Sequence, residues 1–356
     1  MQTRPPHRLA RAAEVAAAVA LAVALLAFGL PRTARTGWRD IGQVLGDVPL
    51  AVLLALTALW LLGLSAHTIA LSAALPGLSH RRAFFLNMTG SCVSNLLPLG
   101  GTAGTLVNFW SARTWGFGLW PFVRWALVTN IWDVLSRLAV PGLALAWLSA
   151  AGPGDTQGLA EAAVGAGLAL LAVVALTVVL LRGDAGARRV GRVADRVLTA
   201  VARRRGSDAG GSTTTVEQAV AMRRSMAELI GVAWPGLTVG KALYAALQAA
   251  LLWACLQAVG TAPEATVVFA AFAVERILSL AVVTPGATGI VEVGMTGYLV
   301  HAGVDPLTAA SGVLLYRLFV IGMEVPVGGA LLGWWSVRRV VRHGDRIRRL
   351  PSRTVR

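Results

Sequence analysis

The chain has 356 residues, of which 56% are hydrophobic and only 14% charged, and its net charge is +15. Soluble domains carry about 25% charged residues, so a single water-soluble core cannot hide this much apolar surface, and a soluble enzyme is excluded. Helices that cross a bilayer remove the difficulty, because lipid solvates the excess.

The basic balance is almost all arginine, with Lys241 the only lysine. The arginines sit in hydrophilic gaps between apolar runs, which is the pattern of membrane topology and argues against nucleic acid as a partner. Cys92 and Cys255 lie far apart in apolar stretches. Neither a disulfide framework nor a metal site is expected, and no cofactor is implied.

Arg4, Arg8 and Arg11 precede an apolar run from Ala12 to Leu30. The basic, turn-like Pro31-Arg32-Thr33-Ala34-Arg35 offers no small-x-small cleavage site, so the run reads as an uncleaved first span, followed by a loop over 31–47. Val48 to Leu75 carries no charge and is interrupted only by His67, and it is long enough to cross about 30 Å of hydrocarbon with tilt. His67 is expected to bond a neighbouring helix, with a proton relay as the alternative. After His80-Arg81-Arg82, a shorter segment from Ala83 to Leu97 ends in Pro98-Leu99-Gly100-Gly101-Thr102-Ala103-Gly104 and resumes through Phe109 and Trp110. A long helix is predicted from about Leu119 to Ala150, then an acidic loop with Asp155 and Glu161, then a span from Leu159 to Leu181. Residues 182–227 hold ten arginines against four acids, and their Gly206–Thr215 middle reads as a flexible linker. Apolar sequence resumes from Leu229 to Val259. A segment from Ala265 to Val283 leads into Pro285-Gly286-Ala287-Thr288-Gly289, followed by Ile290 to Val300. The last helix is predicted from Leu307 to Trp335, before an arginine-rich tail.

Orientation follows from the arginines. The N-terminus, Arg81-Arg82, the 182–227 stretch and the tail hold 23 of the 32 basic residues, so those sides are expected in the cytoplasm. The loops near Asp155, Glu264 and Asp305 are acidic and are expected outside; the 31–47 loop, with Arg32, Arg35 and Arg39, fits poorly. Both termini inside requires an even number of crossings. The expected organisation is one all-α transmembrane domain over 1–340, with a first unit at about 48–150, a second at about 229–336 and a cytoplasmic linker at 182–227. A basic cytoplasmic tail covers 341–356.

The two units look alike. Each has a long helix, a short segment, a Pro/Gly-rich break, another short segment and a long helix bearing a buried arginine, Arg137 in the first and Arg317 in the second. One short segment is entered from the basic side and the other from the acidic side, so the units are expected to be inverted, each with a re-entrant hairpin. Paired breaks of this kind point to a transport site near the midplane. Inside lipid a break leaves backbone groups unpaired and survives only when it is buried in protein or faces a watery cavity. The helix after each break offers free N–H groups and a positive dipole end to a phosphate. Pro141 and Pro326 read as ordinary kinks. Intramembrane charges are the second signal. Asn130, Asp133 and Arg137 share one helix face at i, i+3, i+7, with an Asp133–Arg137 salt bridge as the structural alternative. Glu275 and Arg276 sit mid-segment, Glu292 follows the second break, and Arg317 and Glu324 are two turns apart.

Pro285-Gly286-Ala287-Thr288-Gly289-Ile290-Val291-Glu292 resembles the PGGxGxxE motif of the lysylphosphatidylglycerol synthase transmembrane-region family. Leu315-Tyr316-Arg317-Leu318, with Pro326 downstream, is similar to that family's LYR…P helix, and Asn95-Leu96-Leu97-Pro98 through Gly104 resembles its first break. The resemblance covers roughly residues 10–340. It implies the flippase part of the multiple peptide resistance factor, which moves aminoacylated phosphatidylglycerol between leaflets. The family's first break usually ends in a glutamate, where this sequence has Thr105. No aminoacyltransferase domain follows Trp335, so synthase activity is not expected.

The resulting expectation is a bacterial plasma-membrane flippase or transporter for an anionic phospholipid or polyprenyl-linked envelope lipid, and not an enzyme. The residues expected to bind or pass the lipid are Pro98, Gly100, Gly101, Gly104, Asp133, Arg137, Glu275, Pro285, Gly286, Gly289, Glu292, Tyr316 and Arg317. Expected partners are lipids with anionic headgroups and a separately encoded lipid-modifying enzyme. The alternatives are a membrane enzyme acting on lipid phosphates, for which no acid/base or nucleophile set is evident, and a non-transporting scaffold.

Overall fold

The computed structural model describes residues 6–97, 100–151, 157–204, 212–280 and 283–348, and every regular element among them is helical. The chain begins with α1 (Pro6–Ala24), a wide π-turn at Leu25–Gly29, α2 (Leu30–Ala34) and α3 (Trp38–Gly46). Next come α4 (Leu50–Ala74), α5 (His80–Leu96), α6 (Gly101–Thr114), α7 (Leu119–Ala151), α8 (Gln157–Arg182) and α9 (Asp184–Arg204). They are followed by α10 (Ser212–Ala258), α11 (Ala265–Leu278), α12 (Ile290–His301), α13 (Pro306–Arg317) and α14 (Glu324–Arg348). Among the described residues six stretches are long and apolar enough to cross a membrane: Ala13–Ala34, Leu50–Ala74, Leu119–Ala150, Val164–Arg182, Thr215–Ala258 and Pro306–Arg338.

The α4–α10 pair is the spine. Gly63 faces Leu247 and Tyr244, Gly240 faces Ala70, and Gly236 faces Ala73, so the two helices run antiparallel. A Cβ on Gly236 would lie 2.9 Å from the Ala73 Cβ. Small residues are what let two backbones approach this closely in lipid, where no hydrophobic force drives helices together.

Between the long helices sit two short pairs. At about 25 Å and 21 Å, α5 and α6 are each short for a roughly 30 Å core. They lie side by side: a Cβ on Gly90 would be 2.6 Å from Asn108 Nδ2, and one on Gly104 would run into Ser94 and the Gly90 carbonyl. Arg82, at the start of α5, lies 5.3 Å over the ring of Trp115, just after α6. The chain therefore goes in along α5 and returns along α6 to where it started. The α11–α12 pair doubles back in the same way, with Leu278 pressed against Gly294 and Phe272, Val291, Met295 and Leu299 in the main apolar cluster. The first hairpin leaves the spine at the end where α4 finishes. The second leaves at the end where α10 finishes, which is the opposite end of an antiparallel pair. Their tips meet: the Cβ position of Gly286, in the second break, is 3.3 Å from Oδ1 of Asn95, near the end of α5.

Three segments differ from the sequence expectation. Residues 38–46, expected as loop, form α3; Ile41 is buried with Leu30, Ala34 and Ala310, and Asp40 accepts the Gly37 N–H at 3.2 Å. The periodic signal is present in Trp38, Ile41, Val44 and Leu45, which recur at helical spacing, but the segment is too short and too charged to read as a span. In the expected 182–227 linker, residues 205–211 lie outside the described residues, and both flanks are helical. There α9 packs on the start of α10 through Gly191, whose Cβ position is 3.3 Å from the Ala219 Cβ. Asp184 is held by Arg223 at 2.7 Å and Arg224 at 3.2 Å. The Arg224 hydrogen bond, with Arg223 and Arg188 nearby, keeps that carboxyl below the ordinary carboxylate range. Finally, the expected 307–335 helix is split by a π-turn at Leu318–Gly322, directly after Arg317. Pro326 has no N–H to give the Gly322 carbonyl, and the ladder widens there, with the Met323 N–H bonding to Leu318 O at 2.6 Å.

The meeting of the tips has a direct test. With Cys92 and Cys255 replaced by alanine, cysteines at Asn95 and Thr288 should crosslink in membranes with a short bifunctional thiol reagent. A Leu62→Cys/Thr288→Cys control, with one cysteine on the exposed side of α4, should not.

Candidate functional site

The hairpin tips close on a polar cavity of about 460 Å³, walled by α4, α5, α6, α7, α10, α11, the second break and the α13–α14 junction. Four cations reach it, Arg137, Lys241, Arg276 and Arg317, together with the carboxylates Asp133, Glu275 and Glu324.

The second break is an arginine-centred knot. Gly286 has φ +58° and Gly289 φ +86°, values open to glycine at little cost. Ala287 has φ +52°, which costs an L-residue about 1 kcal/mol or more; the resembling motif has glycine at this position. Thr284 Oγ1 donates to the Thr288 carbonyl at 2.9 Å and ties the turn. Glu292, in the first turn of α12, reaches back to accept the Gly289 N–H at 2.6 Å, as in a capping box. Its other oxygen accepts from Arg317 Nε at 2.7 Å. Arg317 Nη2 donates to the Gly286 carbonyl at 2.8 Å, and Nη1 lies 3.9 Å from Glu275.

This arrangement changes the expected roles. The α12 N-terminus was expected to receive a phosphate. Instead the Gly289 N–H is taken by Glu292, and α1 covers the site, with Ala22 O 3.0 Å from the Gly289 Cβ position. Gly289, Glu292, Pro285 and the fully buried Tyr316 do not line the cavity. Gly286, Glu275 and Arg317 do. At the first break Pro98 lies outside the described residues. Gly100, Gly101 and Gly104 line the cavity beside Thr105, but α6 already starts at Gly101, so Gly104 sits inside the first turn instead of at its end. The N-terminus of α6, which has no side-chain cap, is the one that opens on the cavity.

Across the cavity a second network links α4, α7 and α10. The Lys241 ammonium donates to Asp133 and, at 2.8 Å, to His67 Nε2. The His67 ring stacks on Tyr244, with centroids 4.4 Å apart. Tyr244 OH accepts from Gln248 at 2.8 Å, Gln248 accepts from Arg276 at 3.0 Å, and Arg276 donates to Glu275 at 2.5 Å. Asp133 therefore pairs with Lys241, and the expected Asp133–Arg137 bridge is replaced by this contact from another helix. Arg137 bonds the Ser279 carbonyl at 3.2 Å and hydroxyl at 3.4 Å. Among the described residues no carboxylate lies within ion-pair distance of it.

Sequence reasoning passed over Lys241, Tyr244 and Gln248 as site residues. They stand at i, i+3, i+7, the same one-face spacing that singled out Asn130, Asp133 and Arg137, and a lone lysine within an apolar run was the visible signal.

A model of the family described as the lysylphosphatidylglycerol synthase TM region matches residues 15–328, nearly the whole chain. No curated protein matches it.

Removing Glu292 leaves the buried Arg317 with only its longer contact to Glu275; breaking a buried pair by removing one partner typically costs about 3–5 kcal/mol, whereas removing both costs less. Glu292→Gln should therefore lower unfolding stability in micelles by about that amount, and Glu292→Met with Arg317→Met by clearly less. A chemical-denaturation double-mutant cycle measures the difference.

Proposed function

We propose, for a chain that belongs to the lysylphosphatidylglycerol synthase TM region family, that it carries the headgroup of an anionic phospholipid or polyprenyl-linked envelope lipid between leaflets of the plasma membrane. The family and the six apolar spans make it a multi-pass membrane protein. The observation that supports flipping is the cavity between the hairpin tips, lined both by Arg137, a cation with no carboxylate partner among the described residues, and by the open N-terminus of α6. A phosphate crossing hydrocarbon needs charge and N–H donors along its way, and this wall offers both. Arg276 and Arg317 are already neutralised by Glu275 and Glu292, so they shape the electrostatics more than they bind.

In this reading the two hairpins are inverted repeats that enter from opposite sides of the bilayer, both termini face the cytoplasm, and α9 lies on the cytoplasmic side. A lipid-modifying enzyme, encoded separately, supplies or consumes the lipid.

Two experiments test these points. For orientation, Arg192→Cys should react with an impermeant thiol reagent only after cells are opened, and Asp305→Cys should react in intact cells; the reverse pattern inverts the protein. For transport, charge-assisted hydrogen bonds contribute about 1.5–3 kcal/mol. Arg137→Gln should thus slow translocation of headgroup-labelled phosphatidylglycerol in proteoliposomes by roughly ten- to a hundredfold, and Arg137→Lys by less, since lysine keeps the charge but lacks the planar fork. Wild-type protein that moves no lipid of any class would leave the scaffold reading in its place.

A further inference from the structure

The network of Asp133, Lys241 and His67 shares no residue with the Arg317–Glu292 knot at the second break. It joins three long helices, α7, α10 and α4, and it stands on the cavity wall. Lys241 is 4% exposed and His67 9%, so the ammonium and the imidazole answer to each other and not to bulk water.

Hydrogen-bond chemistry fixes the protonation of this arrangement. A lysine ammonium has three donors and no acceptor, so a His67 Nε2 at 2.8 Å from Lys241 Nζ must be the bare, accepting nitrogen of a neutral ring. The other ring nitrogen, Nδ1, is buried and has no hydrogen-bond partner among the described residues. A proton added at Nε2 would turn that acceptor into a donor and set two cations against each other at contact distance. The Lys241–His67 bond would then break, and Lys241 would be left to Asp133 and the cavity. The site thus has two states that differ by one proton and by the position of one ammonium.

The groups around the ring decide which charge the added proton favours. From α7 come Asp133 and Arg137; from α10 come Lys241 and Tyr244; from α5 comes the uncharged Asn87; and beyond Tyr244 stand Glu324 of α14, Arg276 of α11 and Tyr316 of α13. With Asp133 committed to Lys241, the protonated state adds one positive charge to a wall that already carries Arg137. That state prefers an anion in the cavity, and by linkage an anion in the cavity prefers that state.

We infer that Asp133, Lys241 and His67 form a proton-binding site coupled to occupation of the cavity by an anionic headgroup, so that one proton and one headgroup enter together. This inference rests on the headgroup-binding reading above. It names proton uptake as the partner of lipid entry, and it assigns His67 as the acceptor.

Titration calorimetry of the purified protein with dihexanoyl-phosphatidylglycerol, run in two buffers of different ionisation heat, counts protons taken up per lipid bound. The wild-type protein should take up close to one, and its affinity should rise as the pH falls, by up to about tenfold per pH unit. His67→Gln keeps an acceptor for Lys241, so it should still bind the lipid but with no proton uptake and a flat pH profile. Binding without uptake in the wild type, or uptake that persists in His67→Gln, overturns the proton site and leaves the headgroup reading standing. Absence of binding at every pH overturns both.

Discussion

A helix that stops inside hydrocarbon leaves N–H and C=O groups with no water to turn to, and each costs several kcal/mol if nothing answers it. In this chain the answer at the second break is Arg317. Its guanidinium meets the Gly286 carbonyl and the Glu292 carboxylate, and Glu292 in turn takes the N–H of Gly289. One planar, permanently charged fork satisfies the break from three directions. The break, the hairpin and the meeting with Asn95 all depend on that arginine being held in place, and the π-turn that follows it lets the chain turn away without spending its side chain.

Charges at this depth are tolerated because they are shared. Glu275 serves both Arg276 and Arg317, and Lys241 serves both Asp133 and His67. Burying an ion pair seldom stabilises a fold compared with apolar packing, so seven charged residues lining one cavity are poorly explained by stability alone. What they provide is a polar interior in a molecule whose outer face is Leu, Val and Trp.

Much of this was legible in the sequence. Hydropathy located the long spans, because a 25-residue charge-free run such as Leu50–Ala74 has few other homes. Proline and glycine clusters located both breaks. The pairing of charges was not legible: Asp133 meets Lys241 across 108 positions, and local spacing offered Arg137, one turn away, as the nearer partner. The seat at Gly289 was misjudged for a similar reason. A free helix N-terminus is a sound inference from the break itself, but nothing local shows that Glu292 folds back onto it or that α1 lies across it. The π-turns at Leu25–Gly29 and Leu318–Gly322 leave no mark on hydropathy at all. The helix α9 was hidden by its arginines, which read as solvent-loving linker until Gly191 is seen against α10.

The length of α10 carries a mechanical consequence. It runs 47 residues from Ser212 to Ala258 as one helix, about 70 Å. Near one end Arg223 and Arg224 clasp Asp184 of α9; about 25 Å further along, Lys241, Tyr244 and Gln248 line the cavity. Pro235, between the two, removes one rung of the hydrogen-bond ladder, but the helix runs on through it, so a tilt at one end is carried to the other. A tilt of about 5° at the clasp would sweep Lys241 through roughly 2 Å over that arm, enough to break a hydrogen bond. Whatever grips the α9–α10 clasp therefore holds a lever on the cavity, and a load applied there is felt at Lys241 without passing through any loop.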